Sequence, residues 1–202
     1  MAKYSGCSII YMLFCFLRTK LFYSPARIIR FPIDIRFRKS IYWGAGFTTG
    51  KNCRLSGGNL NKVTLLFGDN VQINDNVHID AIKSVRIGNN VLIASKVFIS
   101  DCSHGCYFEK ESSDPVISPS DRTLITAPVI IGDRVWIGEN VVVMPGVVIG
   151  EGAVIGASSV VVHDIPPNSI AVGAPAKVIK HFDFGLKQWV RILKENHETN
   201  TN

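Results

Sequence analysis

Aliphatic or aromatic residues recur at every sixth position along most of this chain: Phe67, Ile73 and Ile79, then Ile87, Ile93 and Ile99, then Ile131, Ile137, Val143, Ile149, Ile155 and Val161. A Gly or other small residue often follows (Gly68, Gly88, Ala94, Gly132, Gly138, Gly150, Gly156). Asn or Gly often stands two further on (Asn70, Asn76, Asn90, Asn140, Gly146, Gly152), and Val, Ala or Ser comes next (Val71, Val91, Val135, Val141, Ala153, Ser159). Neither a helical period nor simple alternation produces a spacing of six. A short strand ending in a corner does, because Gly and Asn tolerate the positive φ that corners need. Stacked units of this kind bury one continuous apolar column, so the pattern predicts an all-β solenoid, a parallel β-helix.

The repeat slips twice. Between Ile79 and Ile87 there are two extra residues, which predicts a slightly longer turn at 81–84. From Asp101 to Pro128 the period is lost, and the stretch is rich in Ser, Asp, Pro and Cys. A regular solenoid ejects such an insertion as a surface loop, and chemistry is commonly carried on loops of rigid scaffolds. The expected organisation is an N-terminal segment over 1–40, a β-helical domain over 41–181 with the loop 101–128 extruded, and a C-terminal piece over 182–202. Trp189, Val190 and Leu193 have helical spacing, so a helix is expected from Asp183 to about Glu198.

At 202 residues the chain is long enough for one full core. The net charge of +6 is concentrated early, at Arg18, Lys20, Arg27, Arg30, Arg36, Arg38 and Lys39. Such a cluster attracts anions. It carries no nucleic-acid reader motif, so a nucleic-acid partner is not expected. Residues 9–17 (IIYMLFCFL) are almost wholly apolar, too few for a membrane span of roughly 20 residues, and lack a signal-peptide cleavage site. Two readings fit: an interfacial helix on anionic lipid, or a helix that caps the solenoid or packs on a neighbouring subunit. Five cysteines without CxxC spacing indicate a reducing compartment. Cys102, His104 and Cys106 alternate, but a zinc site wants a fourth ligand and a two-residue spacer, so no metal is expected.

The loop opens as Ile99-Ser100-Asp101-Cys102-Ser103-His104-Gly105-Cys106-Tyr107. Histidine titrates near neutrality and suits abstraction of a proton from a hydroxyl or amine. His104 is therefore a candidate base, Asp101 a candidate to orient its imidazole, and Tyr107 a candidate substrate contact. A loop histidine bonded only to backbone is the competing reading. The other histidines, including His78, are read as surface residues. Trp136 precedes the inward Ile137 and is expected on the outer wall, where a large aromatic calls for a ligand or partner. Lys177 and Lys180 lie three apart beside a Gly-Ala-Pro-Ala turn and are placed to reach one phosphate.

The hexapeptides, His104 in the extruded loop, the block VWIGENVVVMPGVVIGEGAVIGASSVV and the tail DIPPNSIAVGAPAKVIK together resemble the left-handed β-helix acyltransferases, among them galactoside and maltose O-acetyltransferases. The resemblance covers about residues 60 to 182. The entry segment RFPIDIRFRKSIYWGAGFTTGKNCRL and the loop ISDCSHGCY are similar to those of bacterial lipopolysaccharide and exopolysaccharide O-acetyltransferases, where the loop is often DHxHG; here Cys102 replaces the first His. The resemblance implies a left-handed coil, acetyl-CoA as co-substrate, and a homotrimer with active sites between subunits. It implies His104 as base and Trp136 at the acceptor and thioester end of the pocket. It further implies backbone near Glu139 and Ala157 along the pantetheine arm, and Lys177 and Lys180 toward the coenzyme A phosphates. The family often has Arg at those last two places and Thr or Lys where Val162 and His163 stand.

The expected function is acetyl transfer to a sugar hydroxyl of a bacterial surface polysaccharide or its precursor, in the cytoplasm or at the inner face of the cytoplasmic membrane. Three alternatives remain at this point. A β-helical carbonic anhydrase needs three converging His, of which only His78 and His104 suggest themselves. An N-acetyltransferase would take an amino sugar, and a scaffold subunit would use the loop and Trp136 for contacts alone.

Overall fold

The computed structural model describes residues 6–58, 61–108 and 111–192. The six-residue period becomes three flat walls. A five-stranded wall holds Ile41–Trp43, Leu65–Phe67, Val85–Ile87, Val129–Ile131 and Val148–Ile149. A six-stranded wall holds Ile33–Arg36, Cys53–Gly57, His78–Ala81, Phe98–Ser100, Val142–Val143 and Val160–Val161. A seven-stranded wall holds Gln72–Ile73, Leu92–Ile93, Trp136–Ile137, Val154–Ile155, Ser169–Gly173, Ala176–Asp183 and Gln188–Arg191. Pairing between successive coils is parallel and in register, so the sixth-position residues stack like on like. Phe67, Ile87, Ile131 and Ile149 form one column; Ile73, Ile93, Ile137 and Ile155 a second; Ile79, Ile99, Val143 and Val161 the third. All twelve are buried. Each coil alone exposes its apolar edge, and stacking at about 4.8 Å per strand removes it from water.

Gly and Asn serve different needs at the corners. The left-handed conformation falls at Asn70, Asn76, Asn90, Lys96, Arg134, Asn140, Gly146, Gly152 and Ser158, again six apart within each run. The Gly directly after the aliphatic residue is needed for another reason: a Cβ on Gly138 would lie 2.6 Å from the Ala157 nitrogen of the next coil. These glycines permit close stacking, a use distinct from the positive φ expected for them.

The solenoid begins earlier than residue 41. Ile33–Arg36 pairs with Cys53–Gly57, and Ile28 bridges Thr48, so the first coil starts at Ile28 and the next runs on to Gly57. Helix α1 (Gly6–Phe22) closes that end. The Ile29 N–H donates to Thr19 Oγ1 (2.8 Å) and the Phe31 N–H to the Tyr11 hydroxyl (3.1 Å), which supplies partners to an otherwise open backbone edge. Helix α1 thus packs over this end of the solenoid, which leaves the lipid reading of its outer face open.

The expected C-terminal helix is corrected over its described part. Ser169–Gly173, Ala176–Asp183 and Gln188–Arg191 make an antiparallel meander on the last coil. Trp189 stands opposite Phe182 with ring centroids 5.3 Å apart, and Asp183 Oδ1 accepts the Leu186 N–H in the turn between them. The helical spacing rested on three residues, whereas the exposed edge of Ala176–Asp183 offers Gln188–Arg191 a ready ladder. Residues 193–198 of that expectation lie outside the described residues.

Candidate active site

The loop leaves the six-stranded wall after Phe98–Ser100 and returns to the five-stranded wall at Val129–Ile131, where these two walls meet. Its base is an antiparallel pair, Cys102–His104 against Leu124–Thr126. Asp101 is fully buried there. Its Oδ1 accepts the Ile82 N–H (2.8 Å) and its Oδ2 accepts those of Lys83 (2.7 Å) and Ser84 (2.6 Å). The carboxylate is thus committed to the longer turn that absorbs the first phase slip, and the role expected for it, orienting His104, is replaced by a structural one. The signal was in the sequence: an Asp at the loop mouth and two extra residues one coil earlier.

His104 sits at the end of the hairpin strand, solvent-exposed, opposite Leu124. Its carbonyl accepts the Tyr107 hydroxyl (2.7 Å), and that hydroxyl accepts from Arg122 Nη1 (3.0 Å). Arg122 also donates to the carbonyls of Ile117 (2.9 Å) and Pro115 (3.2 Å), so one guanidinium ties three parts of the loop together. Sequence reasoning missed Arg122, because nothing in its neighbourhood marks it. Beneath the loop lies a groove of about 280 Å³ lined by Tyr107, Phe108, Met144, Pro145 and Val162. Cys102 is half-buried beside Ser100; burial pushes its thiol up, as do the Asp101 and Asp80 carboxylates, while the Ser100 hydrogen bond opposes this. A thiol held protonated is a poor nucleophile.

His78, read as a plain surface residue, is half-buried on the outer face of the six-stranded wall. Its Nε2 lies 2.8 Å from Asp80 Oδ2 and its ring meets Phe98 edge-on. Among the described residues no three His, Cys, Asp or Glu side chains converge as metal ligands.

Trp136 is 51% exposed on the outer face of the seven-stranded wall, as the pattern required. It begins a row of facing positions across successive strands: Trp136, Val154, Ile170, Lys180 and Arg191. At about 4.8 Å per step, Lys180 stands roughly 14 Å and Arg191 roughly 19 Å from Trp136 along the row. Lys177 and Lys180 are three apart, which in a regular strand puts them on opposite faces. A bulge at Ile170/Ala171 changes this: Lys177 pairs with Val172 and Lys180 with Ile170, both outward positions, so the two ammonium groups share the Trp136 face. With Arg191 they border an open hollow of about 820 Å³. Arg191 was hidden from sequence reasoning by the helix expectation. Glu139 and Ala157 occupy the corners of successive coils beside this wall, where the Ser158 N–H donates to the Glu139 carbonyl (2.8 Å). The exposed Glu139 carboxylate lies 3.6 Å from Lys96 Nζ, a pair worth little.

The candidates therefore form two groups in one chain. His104 and Tyr107 stand where the six- and five-stranded walls meet, while Trp136, Glu139, Ala157, Lys177, Lys180 and Arg191 mark the seven-stranded wall and its edge.

Comparison with known proteins follows the same lines. The family Bacterial transferase hexapeptide (six repeats) matches residues 128–163. An Escherichia coli K12 protein named "Putative lipopolysaccharide biosynthesis O-acetyl transferase WbbJ" is 47% identical over 188 residues, 93% of this chain and 95% of that protein. Galactoside O-acetyltransferase of the same organism is 35% identical over 158 residues, 75% of this chain and 72% of that protein. Among solved structures, a point mutant of AntD, an N-acyltransferase from Bacillus cereus in complex with dTDP-4-amino-4,6-dideoxyglucose and coenzyme A, superposes with a TM-score of 0.68 at 25% identity. That match covers 84% of this chain and 89% of that one.

Proposed function

Because this chain belongs to the hexapeptide-repeat acyltransferases, whose coils wind left-handed, we propose that it moves the acetyl group of acetyl-CoA to a sugar hydroxyl of a bacterial surface polysaccharide or its precursor. It is an acyltransferase with acetyl-CoA as co-substrate. The observation that carries the reading is the row from Trp136 to Arg191: an apolar start, a roughly 14 Å apolar run and three cations at its far end suit a thioester, an extended pantetheine arm and phosphates in that order.

The chemistry needs one base. The His104 imidazole takes the proton of the acceptor hydroxyl as that oxygen attacks the thioester carbonyl; the C–S bond then breaks, and the imidazolium returns the proton to the departing sulfur. Holding both substrates in line supplies the orientation, and no covalent enzyme intermediate is involved. Asp101 contributes by fixing the loop base, and Arg122 by fixing Tyr107 against the His104 carbonyl.

The two groups of residues meet if the loop of one chain reaches the seven-stranded wall of another, which is the arrangement of a homotrimer with sites between subunits. Mixing tests this. His104→Ala and Trp136→Ala proteins, each inactive alone, regain about a quarter of wild-type turnover when unfolded and reassembled at equal amounts, since half of the loops and half of the walls are intact. No recovery would place both residues in one chain's site or outside it.

The likeness to AntD favours one second reading, transfer to an amino sugar. Mild base separates the two: an ester product loses its acetyl group and an amide keeps it.

A further inference from the structure

Helix α1 is packed inside out. Its narrow inner face meets the first coil through Tyr11, Cys15 and Thr19, with Cys15 and Thr19 fully buried. Its broad outer face presents Ile9, Ile10, Leu13, Phe14, Leu17 and Leu21, each more than half exposed. An amphipathic helix on a soluble core does the reverse. A continuous exposed apolar face of this width marks a surface that something covers. Phe14, Leu17 and Leu21 also border a shallow, almost wholly apolar groove of about 370 Å³ with Arg18 at its rim.

Charge selects the occupant. Arg18 and Lys20 lie on the helix and Arg27 just beyond it, and the first acidic residue of the chain is Asp34. A second copy docked face to face on this surface would set cation against cation with no carboxylate in the segment to relieve it. An anionic lipid surface complements both features. At 17 residues the helix is about 25 Å long, short of the roughly 30 Å hydrocarbon core, and no described helix is long and apolar enough to cross a membrane. The geometry points to α1 as an interfacial anchor that lies in the plane of an anionic bilayer. Its outer leucines and phenylalanines enter the acyl boundary while Arg18, Lys20 and Arg27 meet phosphate headgroups. The solenoid then stands on the membrane by its N-terminal end, with the loop and the Trp136 wall above it.

The inference stands apart from the acetyl-transfer reading, so His104→Ala protein is expected to bind vesicles as wild type does. The test is flotation of the full chain with vesicles of phosphatidylcholine and phosphatidylglycerol at roughly two to one, against phosphatidylcholine alone. Wild type floats with the anionic vesicles and is released by salt. Lys20→Gln weakens binding about fivefold. The triple variant Leu13→Ser, Leu17→Ser, Leu21→Ser weakens it at least about thirtyfold, with an unchanged thermal transition because these side chains face away from the core. Wild type that stays unbound with both vesicles overturns the proposal. So does a triple variant that floats like wild type, or one whose only change is a smaller assembly in the absence of lipid, which would assign the face to a second copy.

Discussion

Replacing Asp101 by Asn separates structure from chemistry at the loop mouth. The buried carboxylate accepts three N–H bonds of 2.6 to 2.8 Å from Ile82, Lys83 and Ser84. An amide has one acceptor oxygen. In its better orientation that oxygen keeps Lys83 and Ser84, and the NH2 group is turned against the Ile82 N–H. One charge-assisted bond is lost, two are weakened and a donor faces a donor. At about 1.5–3 kcal/mol for a bond to a charged group, the net loss is about 2–4 kcal/mol. With a urea m-value of about 2 kcal/mol/M the unfolding midpoint falls by about 1–2 M, measured at one fixed protein concentration because assembly shifts the midpoint. The fraction that stays folded keeps its kcat and its pH profile. A variant with an unmoved midpoint but a kcat reduced tenfold or more would refute this reasoning and return Asp101 to the role of orienting His104.

Other predictions follow from the same contacts. Lys180→Ala and Arg191→Ala each raise KM for acetyl-CoA about tenfold, yet leave KM for acetyl-pantetheine unchanged; equal effects on both would remove the cations from the phosphate end. Cys53 is buried with its thiol donating toward the Asn74 carbonyl, and burial pushes its pKa up to about 11 from 9.0. The protonated form is favoured in the fold, so its contribution of about 2–3 kcal/mol is fully present below pH 9 and is lost as pH rises to 11. Urea midpoints from pH 8 to 11 should fall less steeply for Cys53→Ala than for wild type, and parallel curves would reject the assignment. Gly138→Ala forces a Cβ to within 2.6 Å of the Ala157 nitrogen, so adjacent coils must part. A loss of about 2–3 kcal/mol is expected, and a neutral result would show that the corner gives way freely.

Most of the fold was legible because a six-residue period leaves few solutions. Every inward residue from Phe67 to Val161 that the spacing selects is buried in one of three columns. The start at Ile28 escaped because residues 28–40 contain no Gly or Asn to mark a corner. The terminal strand Gln188–Arg191 escaped because hairpin pairing with the preceding strand Ala176–Asp183 outweighed three residues of helical spacing, and with it went Arg191. The outward place of Trp136 followed from the pattern, while the shared face of Lys177 and Lys180 depends on a bulge that spacing does not announce. Asp101 was singled out for the right position and the wrong partner: proximity in sequence suggested His104, whereas the slip at 82–84 created three unpaired N–H groups one coil away.

The central claim is tested most directly by following acetyl gain on bacterial surface glycans together with thiol release from acetyl-CoA, for wild type and His104→Ala in parallel. The account predicts a base-labile acetyl ester formed by wild type and a fall of about 10²–10⁴-fold in kcat for the variant, with KM for acetyl-CoA little changed. Turnover by His104→Ala at the wild-type rate, or glycans that never gain acetyl while thiol is released, would contradict it.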